Sequence, residues 1–466
     1  MSTPTAHRAS PAELRVPPAG HRASPAEDRH PGPGESGQAC FALLDDCTAT
    51  AQRPVSRLYT GYAGTLACER AGQLGESFDA MDRALRAGLH AVGLFSYELG
   101  AALHGMPPSG ELEAAPHGMP PAGCVPPLAR ILLFERLERL SEEQVRAWLA
   151  ARAAAGPAGI SGLRADVDEA RYRADVARIR AYIAQGDTYQ VNYTFRLGFR
   201  AHGGPHALYA SLRARQPVPY GALVGLPGGG AVLSLSPELF MRHREGELIA
   251  RPMKGTAAAG PEGPERVARA RALGGDAKNR AENVMIVDLL RNDIGRIAVT
   301  GSVAVPSLFD VEAFGSVLQM TSTIRGTLRP GTGHGELFEA LYPCGSITGA
   351  PKRRTMEIIR ELERSPRGLY TGAIGWFEPP ADGRRRIGEF CLSIPIRTLE
   401  LDPPDPDGAR EGRMGIGSGI VHDSDAGLEF QECWLKASFL SGIALDGADG
   451  HPLRDAPARP DAVEVG

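Results

Sequence analysis

Two apolar runs on either side of a short charged segment constrain this chain more than any other feature. Ala231-Val232-Leu233-Ser234-Leu235-Ser236-Pro237-Glu238-Leu239-Phe240-Met241 leads to Arg244-Glu245-Gly246-Glu247, and Leu248-Ile249-Ala250-Arg251 follows. Apolar runs of this length around a Gly-containing turn specify a β-hairpin, and with it an antiparallel sheet. A turn centred on Gly246 pairs Glu238 with Lys254, with their Cβ atoms about 5 Å apart. A carboxyl and an amine so placed suit a general acid and a nucleophile, and equally a cross-strand salt bridge. A bulge near Pro237 or Pro252 would break the register.

Lys254 stands in Arg251-Pro252-Met253-Lys254-Gly255-Thr256 and is a rare residue here. Of 51 cationic side chains only Lys254, Lys278, Lys352 and Lys436 are lysines. All four fall in motif-like stretches after residue 253. An ammonium can lose its proton and attack carbon, whereas a guanidinium stays charged and planar.

Length and composition bound the remaining possibilities. A chain of 466 residues suggests about three domains on length alone. The 42% hydrophobic and 23% charged residues are those of a soluble globular protein. A net charge of −4 gives no reason to expect nucleic acid or a membrane surface as partner. No apolar run reaches the roughly 18 residues of a transmembrane helix, and no hydrophobic signal-peptide core is expected at the N-terminus. The seven cysteines form no CxxC pair, which disfavours zinc ribbons and disulfide frameworks. Free thiols in a reducing cytoplasm are the simplest expectation.

Along the chain, residues 1–36 are rich in Pro, Ala and Arg and repeat HRASPAE at 7–13 and 21–27. Such a segment has too few apolar residues for a core and is expected to be a disordered extension. Residues 37–160 read as an N-terminal folded part, with a helix at 76–90, a buried strand at 91–98 and a charged helix at 141–154. HGMPP at 104–108 and 117–121 marks an exposed loop. Residues 161–445 carry the chemistry, and a tail follows at 446–466. Tyr172, Val176, Ile179 and Ile183 recur at helical spacing and predict a helix over 168–185. A strand is expected after Gly186-Asp187.

Four further stretches bear on function. Residues 277–291 are apolar nearly all round and predict a buried helix, in which Glu282, Asp288 and Arg291 need partners. Gly345-Ser346-Ile347-Thr348-Gly349-Ala350-Pro351-Lys352 lacks the spacing of a nucleotide-binding phosphate loop, so ATP is excluded. Small residues before a helix can still hold a carboxylate. Gly415-Ile416-Gly417-Ser418-Gly419 reads as a backbone-exposing loop, for which a tight turn is also a sufficient reason. The last helix, at about 427–442, puts Glu429, Glu432 and Lys436 on one face. That face is either solvated or, joined by Glu282, an oxygen-rich site suited to Mg²⁺.

From about 168 to 442 the chain resembles the chorismate-utilising enzymes, in the branch that aminates chorismate at C4. GDTYQVN (186–192), SPELF (236–240), RPMKGT (251–256), KNRAENVMIVDLLRNDIGRIA (278–298), GSITGAPKRRTMEIIRELE (345–363), RGLYTGAIG (367–375), IRT (396–398) and GIGSGIVHDSDAGLEFQECWLKA (415–437) carry the resemblance in order. It implies one large α/β fold of the α+β type, with two mainly antiparallel sheets packed together and flanked by helices, in place of several domains. It implies that Lys254 attacks C2, that Glu238 protonates the departing C4 hydroxyl, and that ammonia then expels the lysine to give 4-amino-4-deoxychorismate. Glu282 and Glu432, with Glu429 nearby, match Mg²⁺ ligands. Arg397 and Tyr370 match residues that hold the enolpyruvyl carboxylate. Thr348, Gly417, Gly419 and Lys436 match pocket positions. Gln190 stands where water-using relatives carry a basic lysine. Gln319 replaces a histidine, and Asn279 a carboxylate, of some relatives. No cysteine lies in a G-x-C-x-G elbow, so ammonia is expected from a glutamine amidotransferase subunit or from free ammonium. Anthranilate-forming relatives, which usually carry Ala at position 254, and a non-catalytic chorismate-binding subunit are the alternatives.

Overall fold

A computed structural model describes residues 40–107, 127–153, 156–314, 317–381 and 385–445. The repeated heptapeptide, most of the HGMPP repeat and the expected C-terminal tail lie outside them.

Antiparallel pairing dictates the architecture, with 18 strands sharing one hydrogen-bonded ladder. From one edge the order is Ala304–Phe314, Val317–Thr327, Glu247–Arg251, Leu239–Arg244, Phe390–Ser393, Ala373–Phe377, His90–Phe95 and Ala129–Leu140. It continues through Ser56–Cys68, Phe41–Asp45, Tyr220–Gly225, Ala231–Ser236, Thr398–Leu401, Arg410–Ile420, Gln190–His202 and Gly159–Ala165. The short strands Met253–Ala258 and Gly349–Ala350 add to Val317–Thr327 and Gln190–His202.

A twisted sheet of this many strands folds onto itself instead of staying open. Side-chain alternation then gives each strand two buried faces. Val92, Leu94, Leu132, Phe134 and Ile374 from the first half of the ladder meet Ala42, Tyr59, Val224 and Val232 from the second. The other faces lie in a larger core with helices such as Leu74–Arg86, which contributes Phe78 and Met81, and Pro205–Arg215, which contributes Leu208 and Leu212. The expected pair of packed sheets is therefore two halves of one ladder, joined where Ser56–Cys68 pairs with Ala129–Leu140.

The chain crosses between the halves at two proline-marked corners. Pro237-Glu238 links Ala231–Ser236 to Leu239–Arg244, and Ile394-Pro395-Ile396-Arg397 links Phe390–Ser393 to Thr398–Leu401. Proline cannot donate to a ladder, so the strands end there. The corners bond to each other: Ile394 N donates to Glu238 O at 3.1 Å, and Leu235 N to Arg397 O at 3.1 Å.

The helix predicted at 168–185 is Glu169–Ala184. Asp168 caps it, accepting from Arg171 N at 2.8 Å, and Gly186 leaves it with φ of 83°. It buries Tyr172, Val176 and Ile179. Tyr172 shares a 2.8 Å hydrogen bond with Ser418, which fixes the helix to the strand Arg410–Ile420. Two expectations need correction. The helix Ala277–Gly295 is buried on one side only. Asp288 and Arg291 are exposed and pair with each other at 2.8 Å, so solvent and this pair meet the demand for partners. The glycines at 415–419 lie within the strand Arg410–Ile420 and do not form a loop.

Lys352 begins the helix Lys352–Leu362, where its Nζ bonds Asp293 Oδ2 at 2.8 Å and Leu341 O at 3.1 Å. Both side chains of the pair are buried. Lys352→Met strands the Asp293 charge and is expected to cost about 3–5 kcal/mol in urea unfolding. Adding Asp293→Leu should recover most of the loss, and wild-type stability for the single variant would contradict a buried pair.

Candidate active site

The hairpin forms, but in a different register from the predicted one. Glu245 and Gly246 both have positive φ, 52° and 90°, and make a two-residue turn that pairs Arg244 with Glu247. The register slips again between Ile249 and Arg251. Glu238 thus precedes its strand and Lys254 belongs to the next one, Met253–Ala258. They are not a cross-strand pair.

They meet by another route. The pairing of Met253–Ala258 with Val317–Thr327 is interrupted between Met253 and Thr256, and Gly255 has φ of 85°. Such a bulge re-aims the neighbouring side chain. A Cβ on Gly255 would also lie 3.0 Å from the Asn279 side chain. Lys254 is brought within electrostatic reach of Glu238, Glu282, Glu432 and Lys436. Burial lowers its pKa and Lys436 reinforces this, while Glu282, Glu238 and Glu432 oppose it.

Glu238 is 4% exposed. Its Oε1 accepts from Ser346 Oγ at 2.7 Å, and the Met253 backbone amide also favours its charged form. Burial pushes the carboxyl up to about 7, against the pull of Ser346, Lys254 and Met253. A carboxyl poised there can hold a proton near neutrality and release it.

Gln190 and Gly419 complete this wall. A Cβ on Gly419 would sit 2.9 Å from Gln190 Nε2 and 3.2 Å from Lys254 Nζ. Glycine at this strand position lets both side chains close over the backbone. Gln190 is fully buried, yet neither Oε1 nor Nε2 has a hydrogen-bond partner. Two unmet polar atoms beside an amine mark a place for a polar ligand.

Arg397 lies at the second corner with φ of 52°. Its Nη1 is buried and unpartnered, and burial alone takes its pKa down to about 10. A buried guanidinium with no carboxylate beside it among the described residues is a ready seat for an anion. Tyr370 is buried, its hydroxyl pushed up to about 12 by burial. Its ring lies 5.3 Å from the Arg196 guanidinium carbon. Gly415 passes so close that a Cβ there would be 2.1 Å from the ring.

Thr348 and Gly417 shape the backbone. Thr348 Oγ1 donates to Cys344 O at 3.1 Å and Thr348 O accepts from Asn192 N at 2.8 Å. Gly417 O accepts from Lys436 Nζ at 2.9 Å, and a Cβ on Gly417 would lie 2.3 Å from Tyr193 O. The amides of Ile347 and Thr348 bond within their own turn, to Cys344 O and Gly345 O, and are not offered to an anion.

The acidic set is balanced by lysines. Lys436 Nζ lies 3.0 Å from Glu432 Oε1, and Lys278 Nζ 4.0 Å from Glu429 Oε1. Burial works to lower the pKa of Lys436, but Glu432 holds it up. Burial raises that of Glu282; Lys254 and Lys278 pull it down, while Glu429 and Glu432 raise it further. Three carboxylates that repel one another supply hard oxygen donors and suit Mg²⁺ chemically. Among the described residues, however, no three acidic, histidine or cysteine side chains are gathered closely enough to hold an ion as they stand.

Two residues of this site escape sequence reasoning. Ser346 holds Glu238 from a loop considered only for its backbone. Arg367, quoted within RGLYTGAIG without a role, bonds Ile347 O at 2.8 Å, Asn192 O at 2.6 Å and Glu363 Oε1 at 2.6 Å. It thereby ties the Thr348 turn to the strand that begins at Gln190. Among the described residues no helix is long and apolar enough to cross a membrane, and six cysteines are free.

Comparison with known proteins places this geometry. Residues 39–442 match the family described as chorismate binding enzyme. An aminodeoxychorismate synthase component 1 from Klebsiella aerogenes is 37% identical over 358 residues, which are 75% of this chain and 75% of that protein. An anthranilate synthase component 1 from Streptomyces coelicolor is 39% identical over 289 residues, 61% of this chain and 54% of that protein. The chain thus spans about half to three quarters of the length of these relatives. Anthranilate synthase component I from Streptococcus pneumoniae shares the fold with TM-score 0.62 and 24% identity, over 89% of this chain and 95% of that one. MenF, the menaquinone-specific isochorismate synthase of Escherichia coli, does so with TM-score 0.64 and 17% identity, over 88% and 89%. With its matched residues and its fold in agreement, the chain belongs to the chorismate binding enzyme family.

Proposed function

We propose that this chain replaces the C4 hydroxyl of chorismate with an amino group, giving 4-amino-4-deoxychorismate and water. The observation that carries this reading is Lys254, an amine with a depressed pKa set over Gly419 beside Gln190 and within the field of Glu238. The relatives named aminodeoxychorismate synthase component 1 support it.

The chemistry follows from the two protonation states. Glu238 donates its proton to the C4 oxygen as the C4–O bond breaks. Neutral Lys254 attacks C2, and the two conjugated double bonds of the ring each shift one place, through C1 and C6, toward C4 as the oxygen leaves. Ammonia then adds at C4, both double bonds shift back, the C2–N bond breaks to return the Lys254 amine, and a proton of the new ammonium returns to the Glu238 carboxylate. Depressing the amine pKa and raising the carboxyl pKa both favour the neutral pair that this sequence needs. Arg397, with its unmet Nη1, would supply the charge to hold a substrate carboxylate; Tyr370, against Gly415 and the Arg196 guanidinium, would line the pocket. Gln190 offers polar contacts but no base, which suits ammonia, already a nucleophile, better than water.

Glu282 and Glu432, with Glu429, would hold Mg²⁺. When bound, the ion supplies charge for the ring carboxylate and eases loss of the hydroxyl. Lys436 and Lys278 would give up their present partners to admit it. Ammonia would come from a separate glutamine amidotransferase.

Anthranilate formation is the second reading, favoured by the Streptomyces coelicolor relative. Lys254 weighs against it, because amination at C2 needs no lysine at that carbon.

Lys254→Ala should lower C4 amination by about a hundredfold or more in ammonium-dependent assays with chorismate. Full C4 amination by that variant would remove the covalent role. Glu432→Gln should raise the Mg²⁺ concentration needed for half-maximal rate by at least about tenfold. An unchanged Mg²⁺ dependence would refute the assignment of Glu432 as a ligand.

A further inference from the structure

A carboxyl that must deliver a proton has to present it from one oxygen, and something must decide which. The groups facing Glu238 are few. Lys254 and the Met253 backbone amide lie within its field, and Ser346 Oγ donates to Oε1 at 2.7 Å. Behind Ser346, Cys344 Sγ lies 3.3 Å from the same hydroxyl oxygen. The Glu238 carboxylate acts on Cys344 in turn, and Lys352 weakly so. Both Ser346 and Cys344 are buried, at 4% and 3% exposure. Burial pushes the Cys344 thiol up to about 11, so it keeps its hydrogen at any working pH. A thiol hydrogen directed at Ser346 Oγ occupies a lone pair there and leaves the serine hydrogen for Glu238. The backbone is held as well: Glu238 N donates to Ser236 Oγ at 3.2 Å, and that hydroxyl donates to Ile394 O at 2.6 Å.

We propose that Ser346 is a positioning residue for the acid: its hydroxyl, backed by the Cys344 thiol, occupies Oε1 of Glu238 and so assigns the transferable proton to Oε2. The inference deepens the reading of Glu238 as general acid and rests on it. The same hydrogen bond stabilises the carboxylate over the acid, and this gives the inference a measurable sign. Loss of a donor to the charged form raises a carboxyl pKa. A group needed in its protonated form then stays active to higher pH, so the alkaline limb of the rate profile moves upward.

The test is an infrared pH titration of the full-length protein. Glu238→Gln identifies the carboxyl band of Glu238. Ser346→Ala should raise the midpoint of that band by about one pH unit. Ser346→Cys, nearly isosteric and a weaker donor, should fall between Ser346→Ala and wild type. The alkaline limb of kcat for chorismate amination should shift in the same order, with kcat reduced at the optimum and KM for chorismate nearly unchanged. A midpoint that stays in place in both variants overturns the inference, even if kcat falls. If the midpoint shifts while wild-type protein makes no C4-aminated product, the hydrogen bond stands and the proposed reaction fails instead.

Discussion

A carboxyl group buried where the ladder doubles back governs the arrangement of this site. Glu238 sits at a corner because Pro237 ends one strand, and its backbone carbonyl is claimed by the second corner through Ile394. A carboxylate cannot be taken out of water without cost. At this corner the cost is met by a serine hydroxyl, a backbone amide and a nearby ammonium, and only in part, so the group holds its proton up to about 7. The same corner pair carries Arg397, whose guanidinium meets no acid among the described residues. Folding has thus set an acid and an anion seat on two chain crossings that hydrogen-bond each other, so their separation is fixed by backbone and not by side-chain freedom.

Charge is the second organising constraint. Glu282, Glu429 and Glu432 would repel one another in a partly buried space. Lys254, Lys278 and Lys436 offset them one for one, which gives three of the four lysines in the chain a common reason to exist. The fourth, Lys352, neutralises buried Asp293 and bonds the Leu341 carbonyl. Any cation that enters the acidic set changes the field around Lys254, since Glu282 and Glu432 are among the groups that keep its proton on.

Much of this was legible in the sequence, and the failures have physical causes. The antiparallel hairpin, the helix after Asp168 and the nearness of Glu238 and Lys254 were all readable from local patterns. That nearness does not come from cross-strand pairing. Turn residues Glu245 and Gly246 and the slip before Arg251 change the register, and beyond the bulge at Gly255 Lys254 still lies within electrostatic reach of Glu238. Glycines at 415, 417 and 419 repeat with the period of a strand yet read equally as a loop, because glycine alone gives no sign of what presses on it. Tyr370, Tyr193 and Gln190 do the pressing, and all are distant in sequence. Residues 277–291 looked buried on apolar content, yet their outer face is solvated. Ser346 lies 108 residues from Glu238, and Arg367 lies 175 from Asn192, so no local pattern announces either contact.

The central claim is regiochemical: an amine at position 254 directs nitrogen to C4. Purified protein incubated with chorismate, Mg²⁺ and ammonium at mildly alkaline pH should give a product of the mass of 4-amino-4-deoxychorismate, which a lyase converts to 4-aminobenzoate. Fluorescent anthranilate as the product would contradict the claim and show that Lys254 does not decide where the nitrogen goes.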